Sequence, residues 1–121
     1  MSKKILVIED TEDNRQIMRD LLTAAGYALV EATDGAAGVA MARAEKPDLI
    51  LMDIQLPVID GYEATRRIKA DPETAHIPII AVTSYALAGD EEKTRAAGCS
   101  GYVAKPFSPR QLLGVVRGFI G

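Results

Sequence analysis

Four short apolar runs in this sequence each end in a group that can do chemistry. Glu9-Asp10 follows Ile5–Ile8, Asp53 closes Leu49–Met52, Thr83-Ser84 closes Ile79–Val82, and Lys105-Pro106 closes Gly101–Ala104. If those ends converge, three carboxylates share a site with an ammonium and a hydroxyl. Carboxylates about 5 Å apart repel by about 3 kcal/mol per pair at an effective dielectric of ~20, so the acids require added positive charge. Lys105 supplies one charge and leaves a formal sum of -2 from three acids and one base. A hard divalent cation with oxygen ligands neutralises the rest. Magnesium fits better than zinc or calcium, because carboxylates are few and no His or Cys is near. Together these groups are the parts for phosphoryl transfer to aspartate: a carboxylate attacks phosphorus, cations neutralise its oxygens, and a hydroxyl hydrogen-bonds the transferred group. Asp53 is the candidate nucleophile, since Ile54-Gln55-Leu56-Pro57 behind it offers backbone groups to a metal or phosphate. Glu9 and Asp10 are then the metal holders.

Bringing these residues together demands a particular kind of scaffold. The unalternating, β-branched run Ile5-Leu6-Val7-Ile8 is what a strand covered on both faces requires. Tyr27–Val30, Leu49–Met52, Ile79–Val82 and Gly101–Ala104 read the same way, the second and last runs more weakly. Between them the apolar period becomes helical: Ile17, Met18, Leu21, Leu22 and Ala25 share one face, as do Tyr62, Ala64, Thr65 and Ile68, and then Leu112, Leu113, Val116, Phe119 and Ile120. The Ala-rich stretch 36–44 and a helix over Asp90–Ala97 complete the set, with Gly26 and Gly98 at helix C-termini. Strand and helix alternate five times, which predicts a doubly wound α/β domain with a parallel sheet and helices on both faces. Ligands of such sheets bind beyond the carboxyl ends of the strands, where the candidate residues lie.

Composition narrows the function classes. With 121 residues, 48% hydrophobic and 26% charged, the chain reads as a single domain spanning 1–121. A net charge of -3 gives no global reason to bind nucleic acid or an anionic membrane. Cys99 is the only cysteine, which fits a reducing compartment and the role of a small packing residue. The apolar run after Lys3-Lys4 is too short for a signal peptide, so a cytoplasmic location is expected.

The paired acids after the first strand, the segment LILMDIQLPVIDGYE, AVTS on the fourth strand and Lys-Pro after the fifth resemble the receiver domain of two-component response regulators. The resemblance runs from Lys4 to about Ile120. It implies a five-stranded parallel sheet of order 2-1-3-4-5, a flavodoxin-like receiver fold. It also implies Asp53 as phosphoacceptor and Asp10 as principal Mg2+ ligand, with Glu9 acting largely through bound water and the Gln55 carbonyl completing the protein's share. Thr83 would be the switch hydroxyl, Lys105 the partner of the phosphoryl oxygens, Lys105–Pro106 a cis bond, and Tyr102 the switch aromatic. Such a protein takes its phosphoryl group from a phosphohistidine on a kinase or phosphotransfer protein. It is a phosphoacceptor switch rather than an ordinary enzyme, with self-phosphorylation and slow autodephosphorylation. Its output surface, on helix four, strand five and helix five, would include Leu87 to Ala97 and Pro109 to Phe119 and meet a downstream protein, the domain being a monomer or homodimer. The nearest flavours are stand-alone regulators of cell division and receivers of hybrid histidine kinases. Gln55 and Tyr85 occupy positions that influence phosphoryl lifetime.

Two other classes share the alternation. A flavodoxin-like cofactor binder needs phosphate-cradling residues in the first loop, where Thr11 instead stands among Asp10, Glu12 and Asp13. A haloacid-dehalogenase-like phosphatase needs a second Asp two positions after the nucleophile, where Gln55 stands. His76 lies in a loop with two prolines and reads as an exposed loop residue rather than a phosphohistidine. Arg66, Arg67 and Lys69 read as a solvated helix face. Gly114 and Gly118, four apart in the last helix, read as terminal fraying ahead of a close-approach site.

Overall fold

In the computed structural model, which describes residues 3–83 and 90–121, five strands and five helices alternate. They are β1 Lys4–Ile8, α1 Glu12–Ala24, β2 Ala28–Ala32, α2 Gly35–Glu45, β3 Leu49–Asp53, α3 Gly61–Ala70, β4 Ile79–Thr83, α4 Asp90–Ala97, β5 Gly101–Ala104 and α5 Pro109–Ile120. All strand pairs are parallel and the sheet order is β2-β1-β3-β4-β5. The expected doubly wound sheet is therefore present, with the expected order.

The apolar runs divide themselves between two cores. Along a strand successive side chains point to opposite faces. Thus Leu6, Ile8, Ile50, Met52, Ile79 and Ala81 join Ala42 of α2 and Ala64 and Ile68 of α3 on one side. Ile5, Val7, Leu49, Leu51, Ile80 and Val82 meet Met18 and Leu22 of α1 and Leu112 and Val116 of α5 on the other. β3 and β4 are buried along their whole length, as is β1 beyond Lys4. Helix starts are set by side chains that accept orphan N–H groups: Asp34 from Ala37, Asp60 from Glu63, and Ser108 in a reciprocal capping box with Gln111.

Some local expectations shift. β2 runs over Ala28–Ala32 instead of Tyr27–Val30, because Gly26 turns the chain at φ 96° and the Tyr27 N–H stays bonded to the Leu22 carbonyl. As an edge strand β2 also accommodates the charged Glu31, which an apolar-run criterion stops short of. Ile17, expected in the core face of α1, is 55% exposed, and Phe119 is also exposed. The core stripe of α1 is narrower than the sequence pattern and centres on Met18 and Leu22. Gly114 and Gly118 lie inside α5 with open space where a Cβ would stand, so neither marks a close approach. His76 is exposed and Cys99 is buried, as expected. Ser84, Tyr85 and residues 87–89 of the expected output surface lie outside the described residues.

Candidate functional site

β1, β3, β4 and β5 are successive neighbours in the parallel sheet, so the residues at their carboxyl ends lie along one rim. Glu9 leaves β1 with its N–H still bonded to the Ala32 carbonyl at 3.1 Å, and it is only 1% exposed. Asp10, the next residue, is exposed. Asp53 ends β3 and is 6% exposed. One carboxylate oxygen from each of Glu9, Asp10 and Asp53 lies within 4.8 Å of the others.

Lys105, directly after β5, ties two of these acids together. Its Nζ donates to Glu9 Oε2 at 3.0 Å and to Asp53 Oδ2 at 3.4 Å. Its backbone N–H donates to the Thr83 carbonyl at 2.7 Å, which joins the end of β4 to the same residue. The other oxygen of Glu9 accepts from the Thr11 N–H at 3.3 Å and from Asn14 Nδ2 at 3.2 Å. Asp53 Oδ1 accepts from the Gln55 N–H at 3.1 Å, a short turn made by the carboxylate on its own loop. The Lys105–Pro106 peptide is cis. Beside the acids, Asn14, Ile17, Lys105, Pro106 and Phe107 line an open cavity of about 290 Å³.

Burial and company drive the two inner acids apart in acidity. Asp53 is pushed up to about 6, first by burial and then by the hydrogen bond and negative charge of Glu9, against the opposing pull of Lys105 and the Gln55 N–H. Burial pushes Glu9 up as well, yet the hydrogen bonds from Asp53 and Lys105 outweigh it and hold Glu9 below the ordinary carboxylate range. Asp53 is thereby the more readily protonated member of the pair.

These ligands fit a hard dication. Every donor is oxygen, the acids exceed the local positive charge, and the grouping is the one set of metal-capable side chains among the described residues. Among the described residues Glu9 accepts three protein hydrogen bonds and Asp53 two, each spread over both oxygens, whereas Asp10 is exposed with one long contact from Thr11, which makes Asp10 the acid most open to direct ligation. Gln55 is adjacent, with its peptide bonded to Asp53.

Thr83 is buried at the end of β4, one residue past Val82, the register partner of Asp53. Strand alternation places Thr83 on the face of Ile79 and Ala81, and Tyr102 on β5 packs against that same cluster half-buried. Tyr102 also lines a cavity of about 140 Å³ with Thr94, Arg95, Cys99, Ser100 and Gly101. Sequence reasoning missed two supports of the acid loop, Asn14 and Arg15, whose Nη1 donates to the Glu9 carbonyl at 2.8 Å. Both sit in the polar first turn of α1, where a spacing of five or six residues from Glu9 on one turn of loop and helix was the available signal.

The chain is similar to known proteins along its whole length. The family model described as response regulator receiver domain matches residues 5–117. The polar-differentiation response regulator DivK of Brucella anthropi is 43% identical over 121 residues, covering 100% of this chain and 98% of its own. The receiver domain of a Pseudomonas aeruginosa sensor histidine kinase, solved with a magnesium ion coordinated in its active site cleft, superposes with a TM-score of 0.93 at 40% identity. It covers 100% of this chain and 99% of its own. The chemotaxis response regulator CheY4 of Vibrio cholerae gives a TM-score of 0.93 at 28% identity, covering 98% and 99%.

Proposed function

The chain belongs to the response regulator receiver family of two-component signalling, and on that premise we propose that its Asp53 accepts a phosphoryl group in a Mg2+-assisted reaction that switches protein binding. The observation that carries this reading is the Lys105 ammonium shared between Glu9 and Asp53, beside a third carboxylate within 4.8 Å. The donor is a phosphohistidine of a histidine kinase or histidine phosphotransfer protein, and the setting is cytoplasmic. No helix among the described residues is long and apolar enough to cross a membrane.

The residues divide the work. Asp53 attacks phosphorus through a carboxylate oxygen as the phosphorus–nitrogen bond of the donor breaks, giving an acyl phosphate on Asp53 and a histidine that takes up a proton. Asp10 and Asp53, with the Gln55 carbonyl and Glu9 through water, would hold Mg2+, which when bound would offset charge on the phosphoryl oxygens. Lys105 supplies a second cation there, exchanging its bonds to Glu9 and Asp53 for bonds to phosphoryl oxygens. Thr83 donates its hydroxyl to the new group, and Tyr102, on the same sheet face, follows that movement. Phosphorylation thereby biases a two-state surface on α4, β5 and α5 toward a downstream protein, with the domain a monomer or homodimer. Slow attack by water on the acyl phosphate resets the switch.

Intact mass spectrometry tests this directly. After incubation with acetyl phosphate or phosphoramidate, wild type gains one phosphoryl group only when Mg2+ is present, the adduct is labile to hydroxylamine, and Asp53→Asn gains none. An unchanged wild-type mass under every condition overturns the reading.

A further inference from the structure

We propose that Arg15 is the positioning residue of the acid-bearing loop between β1 and α1. Its guanidinium fixes the peptide joining Glu9 to Asp10, and so the direction from which Asp10 presents its carboxylate to a divalent cation. This inference rests on the metal-assisted reading above and adds to it a residue that contacts the backbone of the acid loop instead of its carboxylates.

The problem Arg15 solves is visible in the loop itself. Glu9 is held by its side chain, but Asp10 is exposed and, among the described residues, its carboxylate has only a long contact, 3.5 Å, from the hydroxyl of Thr11. Its aim must come from the backbone. The Glu9 carbonyl and the Asp10 N–H belong to one rigid peptide plane, so whatever holds that carbonyl sets the plane from which Asp10 departs. The holder is Arg15 Nη1, at 2.8 Å.

Arg15 is itself braced. Its side chain is 12% exposed, its Nη2 pairs with Glu12 in the first turn of α1, and its Nε lies 3.4 Å from Glu31 on β2. Glu31 in turn accepts from Arg19 Nε and Nη2, both at 2.8 Å. One planar fork therefore connects loop, helix and edge strand, a geometry that the point charge of lysine does not reproduce. Fixing Asp10 before a cation arrives removes ordering cost from the binding step, and supports of this kind typically carry 10- to 100-fold in metal affinity.

The test is calorimetric titration of Mg2+ into metal-free protein at neutral pH, with thermal melts of each variant in parallel. Arg15→Gln should weaken Mg2+ binding about tenfold or more, and Arg15→Lys by an intermediate factor of about threefold. Arg19→Gln removes pairs to the same Glu31 and Glu12 without touching the loop. It should lower the melting temperature yet leave Mg2+ affinity within about twofold. Affinity in Arg15→Gln and Arg15→Lys equal to wild type overturns the proposal while leaving the metal reading intact. Equal weakening in Arg19→Gln also overturns it, since the effect then belongs to the ion-pair network at large. Wild type that binds no Mg2+ removes the metal reading and this proposal with it.

Discussion

Replacing the candidate phosphoacceptor should make the metal-free protein more stable. Asp53 titrates near 6 in the fold against 3.8 for an ordinary Asp, with burial the leading cause and Glu9 the next. Because the folded state favours the protonated form, its stabilising preference is complete below 3.8 and is lost as the pH rises through about 6. Near pH 7 the fold therefore carries an ionised, buried carboxylate at a cost of at most about 3 kcal/mol, from about 1.4 kcal/mol per tenfold change in acidity. The cleft opens to water at the exposed Asp10, so solvent screening cuts this roughly in half, to about 1–2 kcal/mol. Asp53→Asn keeps the shape and the acceptor for the Gln55 N–H while deleting the charge. Melting temperatures in EDTA near pH 7 should rise by about 6 °C for a chain of this size. The gap should shrink as the pH falls toward about 4, and added Mg2+ should narrow it from the other direction by stabilising wild type alone. An Asn variant no more stable than wild type near pH 7, or a gap independent of pH, refutes the reasoning.

Removing the counter-charge acts oppositely: Lys105→Met leaves Glu9 and Asp53 facing each other without an ammonium. Urea denaturation of the metal-free variant should show a loss of about 2–4 kcal/mol. Glycines in two settings give opposite signs. At Gly61 a Cβ would stand 2.5 Å from the Asp53 carbonyl oxygen and 2.7 Å from Ile54 Cα, so Gly61→Ala should cost about 2 kcal/mol or more. At Gly114, where nothing lies within 4 Å, Gly114→Ala should gain up to about 1 kcal/mol in the same assay. Val58 is 76% exposed and sits at φ 73° in a tight turn closed by the Ile59 N–H on the Pro57 carbonyl, a backbone region that β-branched residues avoid. Val58→Gly should raise stability by about 1 kcal/mol, and a lower denaturation midpoint would show that this turn is not strained.

How much was legible in advance depended on whether local sequence carried the constraint. Leu49–Met52 and Ile79–Val82 announce central strands because burial on both faces leaves no room for polar residues. At the edge that pressure vanishes, which is why β2 was displaced by a residue or more at each end and Glu31 went unnoticed as a strand residue. The meeting of Glu9, Asp10, Asp53 and Lys105 followed from strand ends alone. Which acid Lys105 engages most closely did not, since that contact spans 96 residues and depends on side-chain reach. Arg15 was invisible for a related reason: in a charged first turn, a guanidinium turned inward onto a carbonyl looks the same in sequence as one turned toward water.

The double attachment of Lys105 has a consequence for what the cleft admits. At rest the amine is already claimed by two acids, and its main chain is moored to a third strand. A visitor has to win it away from Glu9, and a singly charged, diffuse anion offers no better bargain than the carboxylate it displaces. A guest bearing close to two negative charges on compact oxygens does. Recruiting Lys105 therefore depends on a guest's charge density as well as on its fit.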